Sequence, residues 1–295
     1  MTFYLKYRPQ TLEDLDLDSV REQLKKIVSS GNIPHALLFA GPKGTGKTSA
    51  ARIIAKIVNC ERQGKKLTEP CNKCSQCKSI SEGYNIDVIE LDAASNRGID
   101  DVRALRDTIK LSPANAKKKV YIIDEAHMLT LEASNALLKT LEEPPEHVVF
   151  ILATTNAEKL IETVRSRTTL IEFHKASPEE TVRSLKNVVR GERLKVDKDI
   201  LLSISKMSDG SFRDAVKILE QLVSQKVKLE KAEVEEYLFK RKAFSQKEFI
   251  NILLAKNASK ALLEIDNFVK KGVRVESIID SLTTILRESL LVKVG

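Results

Sequence analysis

The stretch that most constrains this chain runs from Leu37 to Arg52, LLFAGPKGTGKTSAAR. The apolar run ALLFA at 36–40 predicts a short buried strand. Gly41, Pro42, Lys43, Gly44, Thr45, Gly46, Lys47 and Thr48 then fill the phosphate-loop pattern G-x-x-x-x-G-K-[ST], and residues 49–55 have helix-forming composition. The strand aims the loop and the helix follows it. Glycines let backbone N–H groups close around an anion, and the helix N-terminus adds a favourable dipole. In such a loop Lys47 reaches the β- and γ-phosphates and the Thr48 hydroxyl ligates Mg²⁺.

A second motif answers the first. After Lys117–Lys119, the run VYIIDEAHML reads as a buried strand that delivers Asp124 and Glu125 at its C-terminal end, where α/β sheets place their ligands. Asp124 is the candidate second holder of Mg²⁺, and Glu125 the candidate to orient and polarise an attacking water. The plainer alternative is that both carboxylates cap the next helix. VVFILATTN predicts another buried strand ending in Thr154–Thr155–Asn156. Arg165 and Arg167, ahead of a strand over 170–173, are either surface charge or a γ-phosphate sensor or finger.

Around these motifs strands and helices alternate. A helix is expected over 20–31, capped by Ser19 or Asp18 and ended by Gly31. A strand is expected over 85–92, an amphipathic helix over 99–111, and a helix stopped by Pro144–Pro145. His35 reads as a packing or hydrogen-bonding residue. From Ser177–Pro178 onward only helical patterns remain, including one continuous pattern over 198–224 and another over 245–272. The reading is thus an α/β nucleotide-binding domain over 1–175, a helical lid over 176–240, and the start of a further helical domain over 241–295. The abrupt end at Gly295 suggests a piece of something longer.

All four cysteines, Cys60, Cys71, Cys74 and Cys77, fall within 18 residues of the insertion after the first helix. Thiolates two residues apart can bend onto one metal, and four complete a closed tetrahedral Zn²⁺ shell with no open position. An iron–sulfur cluster is the rival, since C-x₂-C-x₂-C also opens a ferredoxin run. The upstream fourth cysteine favours structural zinc.

With 42% hydrophobic and 31% charged residues, the chain is neither disordered nor membrane-spanning by composition, and the N-terminus lacks the apolar core of a secretory signal. The expected location is cytoplasmic, where disulfides are disfavoured. The net charge of +8 permits nucleic-acid binding without demanding it.

Taken together, KYRPQTLEDL, HALLFAGPKGTGKTSAAR, the cysteine insertion, ELDAASNRGIDDVRALRD, VYIIDEAHMLTLEASNALLKTLEEPP, ILATTNAEKLIETVRSR and GSFRDAVKIL resemble the AAA+ clamp-loader ATPases. The match is closest to the gamma/tau subunits of bacterial DNA polymerase III. The resemblance implies a P-loop AAA+ parallel sheet with a zinc-binding insertion, then an all-helical lid and the beginning of a collar. It implies ATP hydrolysis with Mg²⁺ in a hetero-oligomer, or a homo-oligomer of this chain, that opens a sliding clamp and loads it on primer–template DNA. Thr155 falls at sensor 1, Arg213 at the sensor 2 arginine of the lid, and Arg167 at an arginine finger acting on a neighbour's ATP. Tyr7, Arg8 and Pro9 fall near adenine or ribose, and Lys139 and Arg97 near the DNA backbone. Thr168 replaces the family's usual cysteine after the finger, and Leu15–Asp16–Leu17–Asp18 replaces its Val-Gly-Gln. Two other readings stand beside this one. The string Asp124–Glu125–Ala126–His127 suggests a DEAH helicase, and a scaffold subunit without hydrolysis would share the motifs.

Overall fold

In the computed structural model, the described residues are 2–62, 68–95, 108–225, 227–231, 233–234, 237, 246–270, 275, 278–279, 282–283 and 285–287. The chain divides into two compact units, Met1–Lys226 and Val227–Gly295.

The first unit is built on five parallel strands: β1 (Ala36–Ala40), β2 (Val88–Asp92), β3 (Lys119–Asp124), β4 (Val148–Thr154) and β5 (Thr169–Glu172). Their spatial order is β2-β3-β4-β1-β5. Register pairs Ala40 with Thr154 and Asp92 with Asp124, so the strand ends lie level along one edge. Alternate residues face opposite sides. Leu37, Phe39, Ile122 and Ile151 pack on α2 (Asp18–Ser29) and α3 (Lys47–Asn59), whereas Leu38, Ile123, Phe150 and Leu152 pack with Leu137 and Leu141 of α5 (Leu131–Glu142). Both faces of β3 and β4 are therefore buried, which is why they read as unbroken apolar runs. Burying each such side chain stabilises the fold by about 1.5–3 kcal/mol.

The short α1 (Phe3–Lys6) precedes these elements, α4 (Ser75–Glu82) lies in the cysteine insertion, and α6 (Glu162–Arg165) leads into β5. Three helices close the unit: α7 (Pro178–Gly191), α8 (Lys198–Met207) and α9 (Phe212–Ser224). Ser177 and Glu180 form a reciprocal capping box at the start of α7. The pattern expected to be continuous over 198–224 breaks at Asp209 and Gly210, both at positive φ, and α9 restarts on the Ser211 cap.

Other elements also differ from expectation in instructive ways. β2 begins only at Val88, because Asn85 folds back to accept the Asp87 N–H while donating to Gln76 and Ser79. α2 takes Leu17 as its cap, without a side-chain bond from Ser19 or Asp18. Its first N–H, at Asp18, is instead accepted by Glu180 of α7 at 3.1 Å. The helix expected over 99–111 falls mostly outside the described residues, as does Arg97.

In the second unit, α10 (Gln246–Leu254) and α11 (Ala258–Lys270) replace the single pattern over 245–272. They pack through Phe249, Ala261 and Phe268. Among the described residues no helix is long and apolar enough to cross a membrane.

Candidate nucleotide site and cysteine cluster

Three neighbouring strands bring the candidate residues together. β1 ends in the glycine loop, β3 in Asp124 and Glu125, and β4, between them, in Thr154 and Thr155. The Thr48 hydroxyl donates to Asp124 Oδ2 at 2.6 Å. Thr155 Oγ1 donates to Glu125 Oε2 at 3.0 Å, and His127 Nδ1 lies 2.9 Å from Thr154 Oγ1 and 3.5 Å from the same Glu125 oxygen. Glu125 itself holds a left-handed backbone, φ 47°, which turns its carboxylate out of the strand direction.

The loop is shaped by close approach. A Cβ at Gly41, φ 151°, would stand 1.9 Å from the Phe173 carbonyl oxygen, and one at Gly44, φ 79°, would stand 2.1 Å from Ser211 Oγ. Only glycine fits either position. Lys47 is buried and its Nζ donates to the carbonyls of Gly41 and Pro42 at 2.7 and 2.8 Å. Burial lowers its pKa, while Glu125 and Asp124 oppose that shift.

A cleft joins the loop to the N-terminal segment and to α7 and α9, with Tyr7, Arg8, Pro9, Lys43–Ser49, Asp124, Glu125 and Arg213 among its walls. Arg8 Nε donates to Ser49 Oγ at 3.1 Å, and burial lowers the Arg8 pKa. The Arg213 N–H reaches the Gly44 carbonyl at 3.4 Å, and its exposed guanidinium lies 5.5 Å from the Tyr4 ring centre. Donors on one wall and paired carboxylates on the other suit a polyphosphate with a hard cation. Arg167 stands outside this cleft, bound to Glu142 at 2.6 Å and to the Thr163 carbonyl at 2.9 Å. Lys139 is exposed on α5.

Two cleft residues, and His127 beside the cleft, escape the motif reading. Tyr4 is one aromatic in an aromatic and cationic segment, Ser49 follows the loop motif without belonging to it, and His127 lies inside the DEAH string without an assigned role. Their parts depend on partners in distant elements.

The four thiols gather to within 4.8 Å of one another. Tetrahedral Zn–S bonds of about 2.3 Å place sulfurs roughly 3.8 Å apart, and Cys71 and Cys77 stand at 3.9 Å. All four are free of disulfides. Cys60 ends α3 and Cys74 caps α4, so the cluster ties two helices. Backbone N–H groups of Lys73 and Cys74 point at Cys71 Sγ at 3.4 and 3.3 Å and draw that thiol down to about 6, into the metal-ligating thiolate form. Burial pushes the Cys77 thiol up. The set fits a closed zinc shell.

Comparison with known proteins agrees with the geometry. Residues 17–177 match the family described as "DNA polymerase III, delta subunit". DNA polymerase III subunit tau of Bacillus subtilis is 42% identical over 294 residues, covering 98% of this chain and 52% of that protein. The tau subunit of Escherichia coli is 44% identical over 222 residues, 74% of this chain and 34% of that one. The chain thus spans about half the length, or less, of these relatives. RuvB of Thermotoga maritima, a Holliday-junction branch-migration motor, shares the fold at TM-score 0.59 and 18% identity, over 84% of this chain and 79% of that one. With a phosphate-loop sheet, a cysteine insertion and a helical tail, the chain belongs to the DNA polymerase III subunit family matched over residues 17–177, and it resembles the tau and gamma/tau subunits of bacterial DNA polymerase III over most of its length.

Proposed function

We propose that this chain is the ATP-hydrolysing subunit of a cytoplasmic replicative clamp loader, opening a ring-shaped clamp and loading it on primer–template DNA. The observation that carries this reading is the meeting of Thr48 and Asp124 at 2.6 Å, with Glu125 tied to Thr155 beside them. The names of the relatives support the replicative setting.

In this reading the loop N–H groups and Lys47 bind the β- and γ-phosphates. Thr48 and Asp124 would hold Mg²⁺, which neutralises charge on the phosphates. Glu125 orients the attacking water and takes up its proton, while Thr155 and His127 fix the carboxylate. Arg213, from the lid, senses the nucleotide; Tyr7, Arg8 and Pro9 contact adenine or ribose. Arg167, standing away from its own cleft, serves the ATP of the neighbouring subunit. We read 176–240 as lid and 241–295 as the start of a collar. Lys139, and Arg97 outside the described residues, are assigned to contacts with duplex phosphates, so DNA binding would be sequence-independent and weaken with salt. ATP turnover by the assembled complex, with and without primed DNA and clamp, tests this. Stimulation by both together is expected, and indifference to both counts against the reading.

A further inference from the structure

The cysteine module also grips the N-terminal segment. Glu69, just before Cys71, accepts the Leu12 N–H at 2.8 Å and the Glu13 N–H at 3.0 Å. Lys56 of α3, only 1% exposed, donates to the Gln10 carbonyl and to Gln10 Oε1, both at 2.8 Å, and to Asn72 Oδ1 at 2.7 Å. Asn72 lies between Cys71 and Cys74 and holds φ 55°. From Gln10 the chain of contacts runs to the cleft. Gln10 Nε2 donates to the Arg8 carbonyl at 3.1 Å, and Arg8 Nε donates to Ser49, next to Thr48.

We propose that the metal-bound cysteine module is a clasp on the N-terminal strap, residues 3–13. Glu69 and Lys56 are its positioning residues, and through the strap they set the affinity of the cleft for a purine nucleoside triphosphate. This rests on the reading of the cleft as a nucleotide site. The physics is that of a buried ammonium with three donors. Asn72 and Gln10 supply its acceptors, so a module that loses its metal and lets Asn72 drift leaves Lys56 short of a partner. Its grip on Gln10 then loosens. A strap ordered in advance spares the ligand the entropy of ordering it; a loose one takes that cost out of affinity.

The test is equilibrium binding of a fluorescent non-hydrolysable ATP analogue to the full chain, well below its melting temperature, with hydrogen exchange at Leu12 and Glu13. Glu69→Ala with its metal retained should bind about fivefold or more weakly, the scale of a modest coupling between sites. It should also exchange faster at both amides, and Glu69→Gln, which keeps an acceptor, should recover part of the loss. Removing the cysteine-bound metal with a zinc-selective chelator, Mg²⁺ being kept in excess, should weaken the wild type by a similar factor and add little in Glu69→Ala. A merely structural role would lower melting temperature and leave affinity unmoved. Wild-type affinity in both Glu69→Ala and the chelated protein would overturn the clasp alone; a wild type that binds no analogue would overturn the cleft reading and the clasp together.

Discussion

Gly44 and Ser211 meet where the glycine loop abuts the first turn of α9: a methyl on Gly44 would lie 2.1 Å from the Ser211 hydroxyl oxygen. That oxygen already caps α9 by accepting the Asp214 N–H at 3.2 Å. The loop and the helix that carries Arg213 are therefore fitted to each other, and neither can shift alone.

Gly44→Ala should accordingly disturb the cleft as well as the fold. The left-handed φ alone costs about 1–2 kcal/mol, and the clash adds to it. Gly31→Ala is the control, since Gly31 shares a positive φ but has open space around its Cα. Both variants should melt a few degrees lower in calorimetry, but only Gly44→Ala should lose nucleotide affinity by titration. Equal affinity in the two would separate the loop from α9.

Asp87 organises the turn before β3. Its carboxylate accepts the N–H groups of Ala114, Asn115 and Ala116 at 2.8–2.9 Å. Burial pushes its pKa up, but these donors outweigh burial and hold it below the usual range. A depressed carboxylate stabilises above its unfolded pKa, about 3.9, and that contribution fades as pH falls through the folded value. Asp87→Asn should lose about 1–3 kcal/mol at pH 7, the scale of hydrogen bonds to a charged acceptor, and converge on wild type in acid. Chemical denaturation at several pH values checks this, and a constant gap would refute it.

These contacts mark what the sequence makes legible. Phosphate loop, paired carboxylates and cysteines are chemistry written in short local strings, and the structure brings each set together. The start of α2 is different, because Asp18 finds its acceptor in Glu180, 162 positions away. Lys56 looks like an ordinary helix cation until Gln10 and Asn72 close around it. Likewise the break at Asp209–Gly210 answers to packing, since a Cβ on Gly210 would crowd Lys175 and Ala176. Tertiary partners decide such features, and periodicity carries no trace of them.

The cysteine cluster should hold about one zinc per chain and no iron, as a closed four-thiolate shell requires. Elemental analysis decides it. Cys74→Ser removes a ligand while its hydroxyl can still accept the Cys77 N–H that caps α4. Its metal content should fall and its melting temperature with it; full zinc retention would rule the residue out as a ligand.

Arg167 is bound to Glu142 on the outside of the unit, away from the cleft. Arg167→Ala should leave nucleotide affinity of the isolated chain unchanged and depress turnover in assemblies that mix it with wild type. A loss confined to each mutant's own site would contradict action across the interface.

The most direct test of the central claim is ATP turnover by Glu125→Gln in the assembled complex, measured beside its ATP affinity. The account predicts affinity within a fewfold of wild type and turnover lower by about 10²-fold or more, the scale of losing a positioned general base. Turnover equal to wild type would show that Glu125 does not orient the attacking water, and the hydrolytic site built on Thr48, Asp124 and Thr155 would have to be abandoned.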